Sequence, residues 1–274
     1  MTYKTMLVHA EANTAAAPRL ESAAAIARDF DAALIGLGAE TFDWVGGGDP
    51  SGMMSGELMT LMADQARVDL TAAGVLFEQH AASARHSWLM LAEPPAQAMA
   101  RAARAADLLI AGGAPLDGAD SHRAADTADL VLLSGRPVLV APPAGGRLRA
   151  KQIVVAWRDS REARRAVADA LPFLQRAEEV VVMEVCDPDE FAAAQFRTSD
   201  VAQHLKQHGV TARGVAKIAV PERASTELNI EAQSIGADLI VSGAYGHNRL
   251  QEWVLGGVTR DFLRQPERFV LLSH

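Results

Sequence analysis

The sequence predicts an α/β protein built from two tandem, open, five-stranded parallel sheets flanked by helices. Three observations predict it. Short continuous apolar runs alternate with amphipathic helical stretches, the pattern of strands buried on both faces of a parallel sheet. The alternation runs through twice, once on each side of PPAGGRLRAK (142–151), a Pro- and Gly-rich linker without apolar periodicity. The two passes are also alike in sequence: AADLLIAGGA (105–114) is mirrored by GADLIVSGAY (236–245), and RPVLVAPP (136–143) by RFVLLSH (268–274). The repeat of about 130 residues is the size of a domain and not of a solenoid unit. The expected domains are residues 1–144 and 151–274.

In the first pass, Thr2 to Ala10 reads as a strand, and Ala16 to Phe30 carries Leu20, Ala24, Ile26 and Ala27 at helical spacing. Ala32 to Ala39 is a second strand. The insertion DWVGGGDPSGMMSGE leads into a long helical stretch reaching about Ala82. Ser87 to Ala92 is a third strand. Pro94 and Pro95 open a helix to Ala106, since proline is tolerated in a helix's first turn. Asp107 to Gly112 is a fourth strand, 121–134 a helix, and Arg136 to Pro142 a fifth strand.

After the linker the order returns. Gln152 to Trp157 is a strand, and Ser160 is placed to cap a helix running to Leu174. Glu179 to Cys186 is a strand, Phe191 to Gly209 a helix, and Thr211 to Ile218 a strand. Pro221 to Ile235 is a helix and Asp238 to Ser242 a strand. A glycine-rich segment and a short helix ending near Arg264 then precede the last strand, Phe269 to Ser273.

Composition narrows the function classes. The 274 residues carry a net charge of −8, which disfavours a nonspecific nucleic-acid or anionic-membrane surface. No apolar run is long enough to span a bilayer, and MTYKTMLVHAEAN lacks the features of a signal peptide. With Cys186 the single cysteine, no disulfide framework and no thiolate zinc site is expected. These features fit a cytoplasmic protein.

The segment 237–263, ADLIVSGAYGHNRLQEWVLGGVTRDFL, carries the chemistry. Gly243 and Gly246 follow a strand, and Gly256 and Gly257 open a helix. Glycines at these places let backbone N–H groups converge on an anion. The alternative is a tight strand-to-helix turn whose glycines serve packing only.

These glycines, inside a twice-repeated strand–helix order, resemble the universal stress protein family, and the resemblance covers both halves. Nucleotide-binding members carry Gly, two residues, Gly, nine residues, then Gly followed by Ser or Thr. Gly243, Gly246 and Gly256 keep that spacing. Gly257 stands at the Ser/Thr position, and Val258 and Thr259 are retained. The resemblance implies strand order 3-2-1-4-5, an adenine nucleotide alpha hydrolase-like fold, and adjacent last strands 136–142 and 268–274. It implies a site at the carboxyl ends of the strands where the order reverses. Carried over residue by residue, that site comprises Ala156, Arg158, Asp159 and Ser160 after the first strand and Val185 beside the adenine. Ser242, Gly243, Gly246, His247, Gly256, Gly257, Val258 and Thr259 complete it around the phosphates.

Two departures stand out. The family's acidic residue after the first strand aligns with Arg158. Either Asp159 takes its place, or Arg158 supplies a cation to the phosphates. At Gly257 one hydroxyl donor is lost, worth roughly 0.5–1.5 kcal/mol. In the first half the motif is degraded: Gly112 remains, no Gly-Ser pair precedes the helix, and Asp117, Asp120, Asp126 and Asp129 make the segment acidic. That half is expected not to bind ATP in the family's manner.

The resemblance therefore implies a stress-response protein that binds ATP, with or without magnesium, or a related adenine nucleotide in its C-terminal half. It would act as a signalling or partner-binding module with little or no hydrolysis, and as a homodimer beyond its internal pseudo-dimer. No catalytic residue is expected, and a nucleotide-free interaction module of the same family is the alternative. A dinucleotide enzyme would need Gly-x-Gly-x-x-Gly after a first strand, which HAEANT and WRDSRE lack.

Elsewhere the plainer readings are preferred. His204 and His208 have helical metal spacing but no third ligand, so no metal site is expected. Cys186 reads as a buried inert thiol. Arg161, Arg164 and Arg165 are interleaved with acids and read as a solvated face. Met53, Met54, Met59 and Met62 read as a helix face packing on the other half, with a flexible flap as the alternative.

Overall fold

The computed structural model describes residues 2–40, 56–113, 123–244, 257–264 and 266–274. The N-terminal half runs β1 (Thr5–His9), α1 (Ala17–Phe30), β2 (Ala33–Ala39), α2 (Gly56–Ala81), β3 (His86–Leu91), α3 (Pro95–Ala102), β4 (Leu108–Ala111), α4 (Thr127–Leu133) and β5 (Val138–Val140). The C-terminal half repeats it: β6 (Gln152–Ala156), α5 (Arg161–Leu174), β7 (Glu179–Cys186), α6 (Phe191–Gln207), β8 (Ala212–Ile218), α7 (Ala224–Ile235), β9 (Leu239–Gly243), α8 (Gly257–Arg264) and β10 (Phe269–Ser273).

Local chemistry sets the boundaries. The Ser160 hydroxyl accepts from the Ala163 N–H and caps α5, and Gly236 in the left-handed region closes α7. The expected helix over 121–134 begins at Thr127, because the Asp126 carboxylate accepts from the Ala128 and Asp129 N–H groups and starts it there. The helix expected from Pro94 to Ala106 tightens into a 3₁₀ turn after Ala102.

The strands lie in the order β3-β2-β1-β4-β5-β10-β9-β6-β7-β8, so each half has the order 3-2-1-4-5. The two sheets are continuous: β5 and β10 pair, Leu139 with Leu271, and make one ten-stranded sheet. That pair is antiparallel and every other is parallel. The carboxyl ends of the two halves' strands therefore open on opposite rims of the sheet.

Alternate strand residues feed two cores. On one face Val8, Val155 and Leu271 pack under α1, α2, α5 and α6. On the other Leu7, Val154 and Val270 pack under α3, α4, α7 and α8. Both cores cross the seam between halves. Tyr3, Phe30 and Phe173 form an aromatic trio there, with ring centroids 5.0–5.4 Å apart, and the Tyr3 hydroxyl donates to the Asp169 carbonyl at 2.6 Å.

The methionine expectation is corrected at Met62 only. Helix α2 packs on α1, β2 and β3 of its own half, and Met62 is exposed. Its solvent face carries the exposed apolar residues Leu61, Val68 and Val75. Met53 and Met54 and the side chain of Met59 lie outside the described residues.

Candidate functional site at the carboxyl rim of the second half

The strand order reverses between β9 and β6, and the expected residues gather on either side of that crossing. Ala156 at the end of β6 pairs in register with Ser242 of β9, and Gly243 pairs with Ser273 of β10. Val185 reaches the same rim on β7, half-buried. Helix α5 starts immediately beside this crossing. A Cβ built on Gly243 would come 2.5 Å from the Ala163 nitrogen and 2.6 Å from the Glu162 carbonyl carbon. Only glycine lets the α5 amino end approach β9 so closely. Gly257 begins α8, Val258 is half-buried and Thr259 is buried. Gly246, His247 and Gly256 lie outside the described residues.

The polar groups around this rim have defined partners. Arg158 is exposed, and its carbonyl accepts from the Ser160 N–H at 2.7 Å. Asp159 is engaged by the Arg164 guanidinium at 2.5 Å. The Ser160 hydroxyl oxygen is occupied as the α5 cap, at 3.2 Å from the Ala163 nitrogen. Ser242 donates its hydroxyl to the Gly243 carbonyl at 3.0 Å. Glu162 is buried in the first turn of α5. Burial acts to raise its carboxyl, but hydrogen bonds from Arg161 and Ser160 outweigh this and hold it below the usual carboxylate range. On α8, Asp261 accepts from the Ser225 hydroxyl at 2.6 Å, which fastens this helix to α7. Within α8 itself no acidic side chain stands in the first turn.

The other candidate residues have these surroundings. Cys186 is buried, its thiol pushed up first by burial and then by the Glu184 carboxylate, and its sulfur faces the Lys217 carbonyl. His204 on α6 and His208 at its C-cap are exposed with rings 4.8 Å apart. Arg164 and Arg165 pair with Asp159 and Asp169 on a solvated face. No helix among the described residues is long and apolar enough to cross a membrane.

Residues 149–273 match the Universal stress protein family. That match lies within the C-terminal half of the chain. Over both halves, a universal stress protein from Archaeoglobus fulgidus DSM 4304 has the same fold, with a TM-score of 0.67 at 15% identity, covering 98% of this chain and 95% of its own. A functionally unknown protein from Pseudomonas aeruginosa PAO1 gives 0.63 at 16% identity, covering 99% of this chain and 92% of its own. None of the curated proteins matches the chain. The tandem universal stress protein fold thus runs through both halves.

The first universal stress fold has the same crossing, but its own side chains fill it. Val8 pairs with Ile110 as Val155 pairs with Val241, so His9 stands where the second half has Ala156. His9 is buried, and its Nδ1 lies 3.0 Å from Glu11 Oε1. Arg19 pairs with the same oxygen at 3.2 Å and donates from Nε to the His9 carbonyl. Its guanidinium lies over Gly112, the counterpart of Gly243, where a Cβ would be 2.6 Å from Nη1. Burial acts to raise the Glu11 carboxyl, but Arg19, His9 and Asn13 outweigh it and hold it at about 2. Thr127 and Thr259 stand equally far ahead of Arg136 and Arg268, so Asp126 takes the place of Val258. Its carboxylate satisfies the α4 amino end that a phosphate would otherwise meet. Thr127 pins that helix to β4 by donating to the Gly112 carbonyl at 2.7 Å.

His9, Arg19 and the capping role of Asp126 were missed as site-filling residues at the sequence level. Aligning the two halves backward from Arg136 and Arg268 finds Asp126. Only packing reveals Arg19, which reaches the crossing from α1.

Proposed function

We propose that the C-terminal half binds ATP or a related adenine nucleotide at the β6–β9 rim. The observation that carries this reading is the contrast between halves. In the first half His9, the Asp126 cap and an Arg19 guanidinium lying over Gly112 fill the crossing, while the second half has Ala156 and Val258 at the places of His9 and Asp126, and α5 main chain against Gly243. The α8 amino end, whose own first turn has no acidic residue, favours phosphate, with magnesium where the nucleotide brings it. Val185 and Ala156 offer a small apolar wall for the base. Arg158 is an exposed cation within reach of this rim's solvent side, and Asp159 is already engaged by Arg164.

The bound nucleotide acts as a signal to partners, with little or no hydrolysis. Glu162 and Asp159, two acidic side chains beside the start of α5, are each tied to an arginine, which opposes a general-base role for them. In this reading the protein works in the cytoplasm as a homodimer.

A thermal-shift series with ATP, ADP, AMP and cyclic AMP, with and without magnesium, tests the reading. A ligand that binds only the folded state raises Tm, by mass action, at saturating concentration. No shift with any of the four would favour a nucleotide-free interaction module, the reading that Gly257 and Arg158 support.

A further inference from the structure

Helix α8 is attached to both halves at once. Its first residue, Gly257, belongs to the proposed phosphate rim of the C-terminal half. Its other end bears on the N-terminal half. A Cβ built on Gly113, just beyond β4, would come 2.8 Å from the Leu263 carbonyl oxygen and 3.0 Å from Pro266 Cδ. The contact involves the backbone of Leu263 and the ring of a proline, so no rotamer change can relieve it. Between these ends the helix is firmly seated. Phe262 and Leu263 are buried in the same core as Ala111, Leu130 and Val131 of the N-terminal half, and Asp261 is held by Ser225. Eight residues of helix span about 12 Å, one short rigid rod.

We propose that α8 transmits nucleotide occupancy of the C-terminal rim to the N-terminal half through the Leu263–Gly113 contact. This rests on the nucleotide reading above. An anion at the amino end of α8 acts along the helix axis, and a close-packed rod passes the displacement on at its far end instead of absorbing it. The N-terminal half is suited to receive it. Its own crossing is filled by Arg19 and His9, and its α4 is fixed to Gly112 by Thr127, one residue from the contact. Coupling of this kind is reciprocal: a change at Gly113 must alter nucleotide affinity at the rim.

Hydrogen exchange on the full chain, with and without saturating Mg-ATP, tests this, with ATP binding measured separately by calorimetry. Protection is expected to change in peptides covering 108–113 and 123–133 as well as 257–264. A Gly113→Ala variant is expected to shift the ATP Kd by about threefold or more. Measured binding with exchange changes confined to the C-terminal half overturns the coupling and leaves the nucleotide reading standing. An unchanged Kd in a folded Gly113→Ala protein does the same. If that variant does not fold, the wild-type exchange pattern decides. Calorimetry that detects no binding overturns the nucleotide reading and the coupling together.

Discussion

Gly243 lies against Ala163 so closely that a methyl group on the glycine would sit 2.5 Å from the Ala163 backbone nitrogen. This contact sets the distance between β9 and the amino end of α5, and therefore the width of the crossing at which the proposed site lies. Replacing Gly243 by alanine must push α5 off the sheet. The expected loss is about 1–3 kcal/mol, the usual cost of overpacking, read as a lower urea midpoint at unchanged slope. A Gly243→Ala protein as stable as the wild type would show that the contact relaxes freely.

Glu11 makes stability depend on acid. Its folded value of about 2 lies below the ordinary 4.5, so its contribution is fully present above about 4.5 and is lost as pH falls toward 2. That contribution is about 3 kcal/mol as an order of magnitude. Urea unfolding at a series of pH values should show the fall, and Glu11→Gln should flatten this part of the profile while lowering stability at pH 7.

The seam between the halves depends on the aromatic trio. Tyr3→Phe keeps the ring packing and loses the hydrogen bond to Asp169, an expected cost of about 1 kcal/mol. Phe173→Ala removes a ring facing both Tyr3 and Phe30 and should cost about 3–5 kcal/mol. Calorimetric unfolding checks both, and Phe173→Ala is expected to separate the single transition into two.

Gly257→Ser restores the hydroxyl found in the family pattern at the first residue of α8. One added hydrogen bond to phosphate should tighten ATP binding by roughly twofold to tenfold. Isothermal titration reads this directly, and unchanged or weaker binding would place the phosphates elsewhere.

Ser160→Ala removes the α5 cap. A loss of about 1 kcal/mol in stability is expected. Because the hydroxyl oxygen is already occupied by the Ala163 N–H, nucleotide affinity should change much less than stability does.

Much of the fold was legible in the chain. Strands such as Glu179–Cys186 and helices such as Arg161–Leu174 announce themselves by apolar runs, periodicity and a capping serine, all local signals. The glycine spacing at 243, 246 and 256 and its loss beyond Gly112 in the first half were legible too, because they are residue identities at aligned places. The filled first site was less so. Its acidic character was visible, but Asp126 acts as a cap and Arg19 arrives from a helix packed over the crossing. Helix α2 misled in the same way: its methionines suggested packing on the other half, while Met62 is exposed and the helix packs mainly on α1, β2 and β3 of its own half.

By itself, then, the sequence determined two α/β halves, the order of elements in each, and which half keeps a glycine-led helix start. Backbone propensity and hydrophobic period act within a few residues, so they can be read without coordinates. The adjacency of the last strands was expected; tertiary structure decided the direction and register in which they pair. The antiparallel Leu139–Leu271 pairing joins two sheets into one and turns their rims in opposite directions. It also brings Leu263 of α8 onto Gly113. Both contacts join residues far apart in the chain, where the geometry of close packing, and no local pattern, selects the partner.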